Sequence, residues 1–86
     1  MKKNRTELLA SYDKDIQWDA SKVNQIIKNK KRFIDNPSKR NRFNRELEEC
    51  IQGIESNLRL NGKNYTSKQK RQWKGIINDA KRALLY

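Results

Sequence analysis

Basic side chains are concentrated in one stretch of the sequence, KNKKRFIDNPSKRNRFNR at residues 28–45. This stretch holds eight Lys and Arg residues against a single acid, Asp35, and so supplies +7 of the formal net charge of +11. Side chains at this density suit a polyanion, because Lys offers a point charge to phosphate and Arg adds paired hydrogen bonds. Such binding releases counterions whatever the base sequence. The stretch therefore predicts a site for the phosphate backbone of a nucleic acid.

Asn36 and Pro37 divide the stretch, and the pair is typical of a helix N-cap followed by proline at the first helical position. Cations before the pair would complement the dipole at the end of one helix. Cations after it would oppose the dipole of the next helix, at a cost of ~0.3–1 kcal/mol each at low salt. Lys39 and Arg40 therefore work against folding, which favours a functional reason for them. The predicted phosphate contacts are Lys28, Lys30, Lys31, Arg32, Lys39, Arg40, Arg42 and Arg45.

A solvated helix face with internal ion pairs is the alternative interpretation of these cations. Arg42–Glu46 and Arg45–Glu49 are both spaced i,i+4. Such pairs contribute only ~0.2–0.5 kcal/mol, and the order of base before acid is the weaker one. The other cations of the stretch share one local acid, so we favour the polyanion site.

A second group of cations lies along the last predicted helix, on one flank of its apolar face. Ordinary solubilising lysines on a surface helix explain this group as well as a second contact with nucleic acid does. Lys81 and Arg82 would return to the basic stretch in an up-down bundle. The candidate contacts on this helix are Lys70, Arg71, Lys74 and Lys81.

Three aromatic residues near the cations are candidates for stacking on bases: Phe33, Tyr65 and Trp18. Phe33 lies inside the basic stretch on the flank of an apolar face, and Tyr65 lies in the predicted loop NGKNYTSK. Trp18 falls on a polar face. For Trp18 we favour packing against the N-terminal segment, with an exposed stacking or partner-binding ring as the alternative.

Composition excludes two common kinds of chemical site, although a histidine-free nuclease that uses Lys, Arg and Tyr stays possible in principle. The chain has no histidine and a single cysteine, Cys50, which rules out zinc sites of the usual Cys/His type and histidine acid–base pairs. Cys50 is expected to be a small buried apolar group. The glutamates at 46, 48, 49 and 55 point to different sides of one helix and have Arg partners. We expect no catalytic site, no metal and no cofactor.

Three amphipathic helices position these side chains. Apolar residues recur at helical spacing, which predicts helices at about 15–35, 37–60 and 67–85. Asn36 should cap the second helix, Gly62 should end it in the left-handed conformation, and Thr66 with Gln69 fits a capping box before the third. Short connections favour a small antiparallel bundle, all-α, as one domain over 1–86. Leu8, Leu9 and Tyr12 indicate either a short separate helix at the N-terminus or an extension of the helix predicted at about 15–35.

No run of apolar residues is long enough to cross a membrane, and the N-terminus MKKNRTELLASYD lacks the apolar core of a signal peptide. A membrane-surface helix is disfavoured, because the apolar faces are needed for the core. We therefore expect a cytoplasmic protein without a membrane partner.

The function predicted from these features is non-catalytic binding of nucleic acid by an accessory protein, with RNA favoured over DNA. RNA is favoured because no helix-turn-helix with a recognition helix is evident. One alternative is an inhibitor or adaptor whose basic face docks on an acidic protein. A ribosome-associated or architectural protein is a further alternative. The oligomeric state stays open.

In the basic stretch and the closing YTSKQKRQWKGIINDAKRALLY, the chain resembles the small Lys- and Asn-rich early proteins of T-even-type phages. Among these it is most similar to the TifA-type toxin-inhibitory factors, short basic proteins that counter a toxin–antitoxin defence. The resemblance implies RNA binding coupled to capture of an endoribonuclease toxin in the host cytoplasm. It assigns no role to individual residues.

Overall fold

A computed structural model describes residues 4–86 of the chain, and every regular element within that range is helical. The long helices are α1 at Arg5–Arg32, α2 at Pro37–Asn61 and α3 at Ser67–Ala83. A short 3₁₀ helix, Gly62–Asn64, connects α2 to α3. The predicted all-α class and small three-helix bundle are confirmed.

Helix α1 settles the alternatives for the N-terminal segment, because it starts at Arg5 and runs unbroken to Arg32. Asn4 caps it by accepting a hydrogen bond from the Glu7 amide at 2.8 Å, and the Glu7 carboxylate complements the dipole of the first turn. The segment is therefore an extension of the helix predicted at about 15–35, which starts about ten residues earlier than predicted.

The connection between α1 and α2 follows from Pro37. Proline disfavours the helical conformation in the residue before it, and Asn36 is extended, with φ −106° and ψ 102°. Helix α1 consequently ends three residues before the predicted residue 35, and the Asn36 amide closes the turn on the Phe33 carbonyl at 2.9 Å. The Asn36 side chain accepts from the Lys39 amide at 3.1 Å, which confirms the predicted cap.

The prediction that Gly62 ends α2 in the left-handed conformation is wrong. Gly62 is right-handed, with φ −56° and ψ −32°, and begins the 3₁₀ helix. The helical path stops at Tyr65, which is extended and buried, so that anchoring of the Tyr65 ring redirects the chain. The capping box that follows is confirmed, with both reciprocal bonds between Thr66 and Gln69 at 3.1 Å.

One core is shared by the three helices. Its buried apolar residues are Ile16, Val23, Ile26, Phe43, Leu47, Ile51, Ile54, Tyr65, Trp73, Ile76, Ile77, Ala80 and Ala83. On α1 the buried face is formed by Ile16, Val23, Ile26 and Lys30, whereas Ala20 and Ile27 are only half-buried. Cys50 is half-buried at the core edge rather than fully buried.

Contacts between α1 and α3 define the two ends of the bundle. Lys30 near the end of α1 bonds Ala83 at the end of α3, and Gln69 at the start of α3 bonds Leu9 near the start of α1. These two helices therefore run in the same direction and α2 runs opposite to them. We call the end with the α1–α2 connection and the C-terminus of α3 the turn end, and the other the opposite end. The longest dimension is 49 Å.

None of the helices in residues 4–86 combines the length and the apolar character needed to cross a bilayer.

Candidate nucleic-acid interface

Six cations predicted to bind phosphate are exposed at the turn end. Three belong to the last turns of α1 and three to the first turns of α2, which the Asn36–Pro37 turn brings side by side. They are Lys28, Lys31, Arg32, Lys39, Arg42 and Arg45.

Acidic partners are scarce among these six cations. Arg42 pairs with Glu46 at 3.6 Å, as expected for the i,i+4 spacing, but 67% of the Arg42 side chain stays exposed. The other predicted pair, Arg45–Glu49, is not formed within 4 Å in the part of the chain that the structure describes. Five of the six cations thus lack an acidic partner within residues 4–86.

The predicted phosphate contact at Lys30 is wrong, because its side chain is completely buried. Lys30 continues the spacing of Val23 and Ile26 on the core face of α1, and its ammonium group donates to the Ala83 carbonyl at the end of α3. The Tyr86 ring covers the ammonium at 4.9 Å from the ring centroid. Burial lowers the pKa of Lys30, and the nearby Arg40 guanidinium lowers it further. Lys30 therefore caps α3 and does not face solvent.

Arg40 also departs from its predicted role. Its side chain is half-buried, and its guanidinium donates to the Ile34 carbonyl at 3.3 Å. This bond crosses the α1–α2 connection and satisfies a carbonyl that no helix pairs. Arg40 holds the turn in shape, so its cost to the α2 dipole has a structural reason as well.

Phe33 is half-buried and its ring is already in contact with neighbours. The Phe43 ring is stacked at a centroid distance of 6.3 Å, and the Lys39 ammonium lies 3.8 Å from the Phe33 centroid. A base could stack on Phe33 only after Lys39 had moved. The ring therefore serves to hold the cation in place on the surface of the turn end.

The backbone amides at the start of α2 add little to an anion site. Pro37 has no amide hydrogen, and the amides of Lys39 and Arg40 are bonded to the Asn36 side chain and carbonyl. In the first turn of α2 only the amide of Ser38 is then available to an anion. Any attraction for phosphate at the turn end consequently comes from the side chains and the dipole rather than from a row of free amides.

The predicted cations of α3 do not join the turn end as one group. Lys70, which is half-buried, and Arg71 lie in the first turns of α3 at the opposite end, and Lys74 is exposed further along. Lys81 forms an ion pair with Glu55, with 3.5 Å between Nζ and Oε1, although both side chains are more than half exposed. Lys81 and Arg82, both exposed in the last turn, are the cations that α3 brings to the turn end.

The remaining aromatic candidates differ from each other. The stacking prediction for Tyr65 is wrong, because Tyr65 is 8% exposed and its ring meets the edge of Tyr12 at 4.8 Å and lies 6.3 Å from Trp73. The favoured packing of Trp18 against the N-terminal segment is also wrong, because 74% of Trp18 is exposed. A hydrophobic loop residue followed by a capping box was the signal that could have marked Tyr65 as an anchor.

The described residues, 4–86, contain no group of three or more Cys, His, Asp or Glu residues that could hold a metal ion. Burial raises the pKa of the Cys50 thiol, with Lys22 acting in the opposite direction, so the reactive thiolate form of Cys50 is disfavoured. The turn end itself offers a group of exposed cations. Comparison of the chain with protein-family models, with curated proteins and with solved structures found no match.

Proposed function

We propose that this protein is a non-catalytic accessory protein that binds RNA by its phosphate backbone at the turn end. One observation carries the proposal, namely that five exposed cations from two helices share this end without an acidic partner in the part of the chain described. These cations are Lys28, Lys31, Arg32, Lys39 and Arg45. Like charges held this close on a folded scaffold repel each other, and a polyanion relieves that repulsion.

The shape of the turn end supports RNA over duplex DNA. The cations come from the last turns of α1 and the first turns of α2, at one end of a bundle 20 × 19 Å across, so they are spread over the tip of two helices rather than along one helix. Readers of duplex DNA place the side of a helix along the major groove. A compact basic tip suits the irregular surface of loops, bulges and single strands of RNA, where phosphates converge.

A charge-reversal series tests the proposal. The turn-end variant carries Lys31→Glu, Arg32→Glu and Lys39→Glu, which replace no buried residue and leave Lys30 and Arg40 intact. The matched control carries Arg59→Glu, Lys63→Glu and Lys68→Glu, three exposed cations at the opposite end. Both variants lose the same net charge, so a difference between them reports on position.

Affinity for labelled RNA should be measured by anisotropy over a range of salt concentrations. We expect the logarithm of the wild-type association constant to fall linearly with log[salt], and the turn-end variant to lose about two units of that slope. The control should keep most of the wild-type affinity. Equal losses in both variants, or no wild-type binding at low salt, would contradict the proposal.

A protein with an acidic surface could use the same cations, and a pull-down separates the two cases. RNA binding predicts that proteins captured from a lysate are released by nuclease. A single protein that stays bound after nuclease, and is lost with the turn-end variant, would favour an inhibitor or adaptor instead. The resemblance to toxin-inhibitory factors would make that protein an endoribonuclease toxin.

A further inference from the structure

Trp18 has no structural role that explains its exposure. It lies in the middle of α1 with 74% of its side chain in solvent, whereas the chain's other tryptophan, Trp73, is 1% exposed. An open recess beside the Trp18 ring is lined by Ser21, Lys22, Gln25 and Ile26. The ring is therefore held at the surface next to a space that a planar group can enter.

The face of α1 around Trp18 leads directly to the turn end. At 100° per residue, Gln25 and Asn29 lie within about 20° of a line drawn along the helix from Trp18, and Lys22 and Arg32 lie within about 40°. The line from Trp18 to Arg32 is about 21 Å long, at a rise of ~1.5 Å per residue. It joins an exposed aromatic ring to the exposed cations at the turn end.

The two flanks of this face differ in charge. Lys14, Lys28 and Arg32 lie on one flank without an acid between them, whereas Lys22 on the other flank is accompanied by Asp15 and Asp19, as helical geometry places them. A phosphate backbone would therefore follow the first flank and keep its bases over the centre of the face. The exposed amide of Gln25, bonded to Asn29 at 3.4 Å, lies on the line between Trp18 and Arg32. Such amides can bond base edges.

An apolar protein partner fits this face less well. Docking surfaces for proteins gather several apolar side chains, but the exposed neighbours of Trp18 in the recess are Ser21, Lys22 and Gln25. Leu8, the other large exposed apolar residue of α1, lies about 80° round the helix and ~15 Å away. A single ring among cations and amides is the arrangement that stacks on a nucleobase.

We propose that single-stranded RNA lies along the outer face of α1, with a base stacked on Trp18 and its phosphates directed to Lys28 and Arg32. This inference rests on the proposed function and adds a ligand class to it. The turn end alone would accept any polyanion, because it binds through charge. The Trp18 face would accept only unpaired bases, since a base within a duplex has no free face to offer.

Affinities of Trp18 variants for a labelled oligoadenylate and for an RNA duplex of equal length test the proposal. Trp18→Ala should weaken binding of the single strand roughly 5- to 150-fold, as loss of one base–aromatic stack does. Binding of the duplex should be unchanged. Trp18→Phe keeps an aromatic ring and should retain most of the affinity, whereas Trp18→Leu keeps an apolar side chain and should not. Leu60→Ala removes a matched exposed apolar side chain at the opposite end and should have no effect.

Intrinsic fluorescence gives a second readout. Because Trp73 is buried, quenching by the oligoadenylate should come from Trp18 and disappear in Trp18→Phe. Two outcomes would overturn the Trp18 proposal alone: single-strand affinity unaffected by Trp18→Ala while the turn-end variant abolishes it, or equal losses for both RNAs. Absence of wild-type binding to either RNA would overturn the proposed function with it.

Discussion

Both ends of the bundle tie α1 to α3 through one buried polar side chain, but the two side chains differ in charge. At the opposite end the Gln69 amide donates to the Leu9 carbonyl at 3.1 Å and to Asp13 at 3.0 Å, and its oxygen accepts from Thr66. At the turn end the tie is Lys30, an ammonium group with the Ala83 carbonyl and an aromatic face as its partners. A neutral amide with matched partners is the less costly solution.

The surroundings of the two side chains also favour the opposite end over the turn end. At the opposite end the rings of Tyr12, Tyr65 and Trp73 pack in sequence, and the last two are buried. Above Lys30 the single ring is Tyr86, which is 46% exposed. The opposite end therefore has the more favourable tie, whereas the turn end buries an ammonium group beneath a half-exposed ring. This division can be tested residue by residue.

The largest effect is expected from Trp73→Ala. Removal of this ring from the packed core should lower the free energy of unfolding by about 3–5 kcal/mol, through lost burial and a cavity. Trp18→Ala is the matched control and should change it by less than about 0.5 kcal/mol, as exposed positions do. Denaturant unfolding followed by circular dichroism measures both. Similar losses for the two tryptophans would break the contrast between buried and exposed rings.

Lys30→Ala should have the next largest effect, about 2–4 kcal/mol, because it removes a buried stem and leaves the Ala83 carbonyl without its donor. Lys30→Met keeps the stem and should cost about 1 kcal/mol or less, since it also removes a buried charge. Lys31→Ala, the exposed neighbour, serves as control in the same unfolding measurement. If Lys30→Ala lowered the free energy of unfolding no more than Lys31→Ala does, the contact between Lys30 and Ala83 would contribute nothing to stability.

Acids placed at helix starts should show that the turn end gives up stability for charge. The first turn of α2 has no acid, and Ser38→Glu should raise the free energy of unfolding by about 0.3–1 kcal/mol at low salt. The same variant should weaken RNA binding. Ser67→Glu at the start of α3 should give a similar gain in stability without weakening RNA binding. Loss of RNA affinity in both variants would remove the distinction between the ends.

Alkaline pH should act on the two ends in opposite directions. Since burial lowers the pKa of Lys30, the unfolded state binds the extra proton, and stability should rise as pH approaches about 10.4. Burial raises the pKa of Tyr65, so the folded state keeps that proton and stability should fall above about pH 10. Unfolding from neutral to alkaline pH, compared among the wild type, Lys30→Met and Tyr65→Phe, separates the two slopes. A Lys30→Met profile parallel to that of the wild type would contradict the assignment to Lys30.

Features decided by local chemistry could be predicted from the sequence. The helices, the Asn36 cap and the Thr66–Gln69 capping box depend on residues within four positions of one another, and all are present. The prediction that Gly62 ends α2 in the left-handed conformation is wrong because local chemistry alone does not decide that position. A glycine after a helix permits the left-handed conformation but does not require it, and the buried Tyr65 three residues later redirects the chain.

Contacts between distant residues account for the rest. Lys30 and Ala83 are separated by 53 positions, and nothing near Lys30 shows that α3 ends above it. In the structure Lys30 continues the buried face of Val23 and Ile26, whereas the density of charge around it in the sequence favours the surface. Of the eight cations predicted at the turn, six are exposed, because a helix hairpin needs only two of them for its own structure.

Because Lys30 is buried, its chemical modification can report how often the bundle opens. Amine-reactive reagents modify lysines that solvent can reach, so the exposed lysines of the turn end should be acylated at once in the native protein. Lys30 would react only when the C-terminal turn of α3 and Tyr86 lift away from α1. The rate at which mass spectrometry finds label on Lys30 therefore measures how often the two helices separate, without an added probe.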